Sequence, residues 1–235
     1  METITQIKKL SLWIFVIPFL AINLCLFISV NHHIFENTFL SVDHIGRSNF
    51  TFPYIDGGVS ISRTARTYPT YLIFKPAMIF TAIILIKYWI LNNKVFNTIK
   101  NEANKNNYFL IFGVASAIFL ILHSIFLGIK FDHDLYKFFR RFVILAFIIF
   151  EIVAQALLVI NLLKIKMKLE NFINKKILTL KIILVAVLAI TAVASIPILI
   201  SSGHVHFKHA LEWNYFVGVI LFYFLSFLFW KKVQA

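Results

Sequence analysis

Six apolar runs constrain this 235-residue chain more than any other feature. They cover residues 11–30, 71–91, 108–128, 139–163, 182–201 and 213–230. About 20 consecutive apolar residues, rising about 1.5 Å each in a helix, cross about 30 Å of hydrocarbon. Lipid offers backbone amides no partner, so the crossing form must be helix. The expected fold is therefore all-α, a polytopic membrane helix bundle with six transmembrane helices in one domain, 1–235. Composition agrees: 60% of residues are hydrophobic and 14% charged, against about 25% charged in a soluble domain. The first run is too long for a signal-peptide core and lacks a small-residue cleavage site, so it is expected in the mature protein. A single cysteine, Cys25, leaves no disulfide framework.

The formal charge of +13 falls at the ends of the runs, which points to membrane topology and away from nucleic acid. Lys8, Lys9, Lys94, Lys100, Lys105, Lys164, Lys166, Lys168, Lys175, Lys176, Lys181, Lys231 and Lys232 fall on one side. The other side holds Arg47, Arg63, Arg66, Lys75, Lys130, Lys137, Arg140, Arg141 and Lys208, together with more of the acids. The positive-inside rule then puts both termini in the cytoplasm.

All eight histidines sort to the opposite, outer side. His32, His33 and His44 follow the first run, His123 and His133 lie at and beyond the end of the third, and His204, His206 and His209 precede the sixth. The first outer loop, 32–70, is long, punctuated by Pro53 and Gly57-Gly58, and without helical periodicity; such loops are usually functional or disordered.

Two candidate sites follow. Within the membrane, Glu151 lies near the middle of the fourth run with Gln155 one turn on, and Asn23, Ser116 and Thr191 at similar depth. Intramembrane acids are costly and by default functional, although a protonated Glu151 serving helix packing alone accounts for the pattern equally well. At the outer face, His206, His209 and Glu212 recur at helical spacing and form a candidate zinc set. His133 and Asp134 would then handle protons, and His123 stands near the same region. Against this, interfacial histidines are common as amphipathic anchors, and the spacing is not a strict zinc-protease motif. Arg140 and Arg141 open the fourth run, where they serve as interfacial anchors or hold a lipid phosphate.

Several stretches resemble the DRAM/Frag/Sfk family of six-span membrane proteins. Phe52-Pro53-Tyr54-Ile55-Asp56, the His133-Asp134 pair, and His209-Ala210-Leu211-Glu212-Trp213 running into a Phe-Tyr-Phe-Leu stretch carry the likeness. The chain departs from the family pattern at Asp56-Gly57-Gly58-Val59 and lacks glycines after His133-Asp134. The resemblance implies roles in membrane-lipid organisation and trafficking, including autophagy and GPI-anchor remodelling. It carries over only Asp56, His133, Asp134, Glu212 and Trp213.

Three function classes result. The first is a lipid-organising or trafficking modulator that engages headgroups at its non-cytoplasmic face, with membrane lipids and a membrane or peripheral protein as partners. The second is a histidine- or metal-dependent lipid hydrolase or acyl transferase, with zinc as the candidate metal. The third is a small transporter with Glu151 at its midplane.

Overall fold

The computed structural model describes residues 2–100, 107–129, 134–201 and 203–231. Its helices are α1 (Glu2–Val30), α2 (Ile61–Ala65), α3 (Tyr71–Lys100), α4 (Tyr108–Phe126), α5 (Asp134–Ile165), α6 (Lys175–Ile200) and α7 (Val205–Phe229). All but the five-residue α2 are long and apolar enough to cross a membrane, so the chain is a multi-pass membrane protein. The helices outrun the apolar runs because flanking polar residues continue the same helical backbone. Lys181 illustrates this: expected in a connecting loop, it lies inside α6, fully buried. Pro18, Pro76 and Pro197 all sit within continuous helices.

Small residues set the closest approaches. A Cβ on Gly113 of α4 would stand 2.4 Å from the buried Trp89 ring of α3. Trp89, Tyr88 and Tyr223 pack edge to face around this point, with centroids 5.1–6.4 Å apart, the arrangement that ring quadrupoles favour. The lipid-facing positions stay apolar and exposed, such as Ile83, Ile118 and Ile190.

The lysine-bearing end is closed by backbone pairing. Asn174 N–H donates to the Phe229 carbonyl (2.9 Å), Lys231 N–H to the Phe172 carbonyl (2.9 Å), and Lys8 Nζ to the Trp230 carbonyl (2.8 Å). The 166–174 connection is thereby tied to the end of α7, which Lys8 in turn joins to α1.

The histidine-bearing end carries a folded lobe built from residues 31–70. It contains two short 3-10 turns, His32–Phe35 and His44–Gly46, and α2, whose N-cap Ser60 accepts the Arg63 N–H at 3.1 Å. The loop lacks helical periodicity because it is held by side chain to backbone bonds. Ser29 Oγ donates to the Gly46 carbonyl (2.7 Å), and Thr70 Oγ1 donates to the Thr64 carbonyl (2.6 Å).

Candidate functional site

The outer candidates divide between two places. The first is a clasp between α7 and a strap formed by residues 50–62. Asp56 builds the strap's turn: it accepts from Thr51 Oγ1 (2.5 Å), Phe52 N–H (2.7 Å) and Gly58 N–H (2.8 Å). Those bonds, the Thr51 hydroxyl first, together with the charge of His206, hold its carboxyl below the ordinary carboxylate range. The next residue, Gly57, has φ +59, and a Cβ there would lie 1.7 Å from the His206 carbonyl. Only glycine fits so close to the first turn of α7.

Side chains along α7 then grip the strap in sequence. His209 Nδ1 lies 3.0 Å from the Gly57 carbonyl, and Glu212 Oε1 accepts the Ser62 N–H at 3.3 Å. Trp213 Nε1 donates to the Val59 carbonyl at 2.8 Å, and Asn214 Nδ2 to the Tyr54 carbonyl at 2.8 Å. The Tyr54 ring meets the Trp213 indole edge-on at 5.0 Å, and its hydroxyl donates to Asn23 Oδ1 on α1 at 3.0 Å. Glu212 is thus committed to strap amides and His209 to a strap carbonyl. Among the described residues no group of three His, Cys, Asp or Glu is placed to hold a metal ion.

The second place is basic. Arg66, at the end of α2, is partly desolvated and feels the like charges of Arg140 and Arg63, which together lower its pKa from the usual arginine value. His123, in the last turn of α4, is an electrostatic neighbour of Arg140. Arg140 also lies 5.7 Å from the Tyr136 ring, while Arg141 is exposed. No hydrogen bond among the described residues joins His123 to His206 or His209. His133 lies outside the described residues, and Asp134 is described only as the first residue of α5.

Three of the five intramembrane candidates, Glu151, Gln155 and Ser116, assemble. Glu151 is fully buried and contacts Ser116 Oγ (2.5 Å), Gln155 Nε2 (3.1 Å) and the Tyr223 hydroxyl. Asn23 of α1 instead accepts from Tyr54 of the strap, and no hydrogen bond of the cluster involves Thr191. Sequence reasoning missed Tyr223, Tyr88, Ser226 and Lys181. Lys181 Nζ donates to Ser226 Oγ at 2.8 Å and lies 4.0 Å from the Phe222 ring; Tyr88 donates to the same Ser226 at 3.2 Å. The available signal was Tyr223 and Ser226, polar residues three apart in an aromatic run, which put both on one helix face.

No family model, no curated protein and no solved structure matches this chain.

Proposed function

We propose that this membrane protein organises lipid at its non-cytoplasmic leaflet, with both termini in the cytoplasm and the strap as its lipid-contacting element. One observation carries the reading: the strap's backbone is pinned at the outer edge of the bundle while its large apolar side chains are left outside. Phe50 is 89% exposed, Ile55 80% and Phe52 55%. Depth supports lipid as the neighbour. Asn23, which receives the Tyr54 hydroxyl, is seven residues before the end of α1, about 10 Å down its axis. Asn214, which holds the Tyr54 carbonyl, is nine residues into α7, about 14 Å from its start. On this reading the strap, beside the end turns of two spanning helices, meets the membrane where headgroups adjoin acyl chains. Irregular backbone is stable at that level because each strap carbonyl just named is satisfied by α7.

The basic group Arg63, Arg66 and Arg140 stands at the same end and suits phosphate-bearing headgroups. The family resemblance points the same way, because its two described segments, Phe52-Pro53-Tyr54-Ile55-Asp56 and His209-Ala210-Leu211-Glu212-Trp213, adjoin each other in the clasp. On this reading the two segments that carry the resemblance form a structural grip that sets out a lipid-facing surface.

The test is native mass spectrometry of the full chain released from detergent. Wild type should retain phospholipid, and a triple Phe50→Ser, Phe52→Ser, Ile55→Ser variant should lose it while staying folded. Equal retention by both proteins would refute the reading.

A further inference from the structure

The buried polar groups that lipid organisation leaves unused centre on Glu151. It lies thirteen and fourteen residues from the two ends of its span, Phe138–Ile165, and is the only fully buried acid among the described residues. Its polar contacts come from α4, from its own helix and from α7. Oε1 faces two donors, Gln155 Nε2 at 3.1 Å and the Tyr223 hydroxyl. Oε2 faces only Ser116 Oγ, at 2.5 Å. Ser116 has one hydroxyl proton, and its Oγ is also 2.8 Å from the Gly113 carbonyl, which can only accept. That one proton can serve the Gly113 carbonyl or Oε2; where it serves Gly113, a proton on the carboxyl makes the Oε2–Oγ contact. The Gln155 amide cannot be turned round to supply a different pattern, because Nε2 also serves the Val219 carbonyl at 3.2 Å. Its Oε1 is left buried without a partner.

The charged and titratable groups around the site leave it uncompensated. Tyr223 approaches from α7; Tyr88 of α3 is an electrostatic neighbour whose hydroxyl is given to Ser226. Lys181 of α6 directs its ammonium to Ser226 and to the Phe222 and Phe229 rings. No cation among the described residues forms an ion pair with Glu151. A lone carboxylate in such a place is strongly disfavoured.

We infer that Glu151 is a proton-binding site, holding one proton between α5 and the Ser116 hydroxyl of α4. If the proton leaves, Ser116 must turn its hydroxyl from the Gly113 carbonyl to the carboxylate, breaking an existing bond. Proton occupancy is therefore tied to the packing of α4 on α5.

Infrared difference spectroscopy of the full chain in lipid nanodiscs at neutral pH, wild type minus Glu151→Gln, reads this directly. The expected difference is loss of a protonated-carboxyl stretch that shifts in D2O, with helix content kept, since glutamine has the shape of the neutral acid. Loss of a carboxylate band in its place would overturn the inference. Ser116→Ala, read on native Glu151, answers the question even if the glutamine variant fails to fold. It should keep the protonated-carboxyl band and move it to higher frequency, because the acceptor is gone. An unmoved band, or none, would overturn the inference.

Discussion

The indole of Trp213 donates to the carbonyl of Val59 across 2.8 Å, joining the last spanning helix to the first long loop. Both residues are buried, so neither group has water as a substitute. Trp213→Phe keeps most of the ring and deletes the donor. The orphaned carbonyl should cost about 1–3 kcal/mol, seen as a lower thermal midpoint and faster hydrogen exchange in the strap.

Glu212 separates a structural clasp from a catalytic or metal-binding carboxylate. Its contribution in the clasp is an acceptor for the Ser62 amide. Glu212→Gln retains an acceptor oxygen and should leave strap protection nearly unchanged, whereas Glu212→Leu should lower it around the Ser62 amide. Hydrogen-exchange mass spectrometry over residues 58–64 checks both outcomes.

Acid should loosen the strap through Asp56. Its folded carboxyl is held below the ordinary 3.8 by bonds that only the ionised form makes in full, the Thr51 hydroxyl first. The stabilisation is thus complete above that ordinary value and is lost as pH falls through the lowered one. A spin label on the strap should stay immobile at neutral pH and gain mobility only in strong acid. Asp56→Asn should be mobile already at neutral pH.

Two glycines offer a matched comparison inside the bundle. A Cβ at Gly113 meets the rigid, buried Trp89 ring at 2.4 Å, whereas at Gly218 it meets Leu188 Cδ2 at 2.6 Å, the end of a flexible chain. Gly113→Ala should cost about 1–3 kcal/mol through overpacking, and Gly218→Ala distinctly less, as read from thermal unfolding in detergent.

The six helices were legible in sequence because the bilayer forces apolar residues into uninterrupted runs. Glu151, Gln155 and Ser116 were legible as well, since a polar residue among twenty apolar ones stands out and helical spacing shows which share a face. Lys181 was not. By sequence it resembled its neighbours Lys175 and Lys176, and only the tertiary approach of Phe222 and Phe229 buries it. The clasp was half legible: Asp56, His209, Glu212 and Trp213 were singled out, but as one side of a chemical site. Their partners are strap backbone groups of Gly57, Val59 and Ser62, and main-chain atoms leave no mark in a sequence.

The lipid contact proposed for the strap is tested most directly by depth. Cys25 is the only cysteine, so Cys25→Ser with Ile55→Cys or Phe50→Cys gives single nitroxide sites, and Glu36→Cys on the exposed part of the same lobe gives the aqueous reference. In lipid bilayers, labels at 50 and 55 should collide more with oxygen than with a water-soluble nickel chelate, and the label at 36 should do the reverse. Labels at 50 and 55 that match the label at 36 would contradict the account, leaving the strap in water and its phenylalanines without the lipid assigned to them.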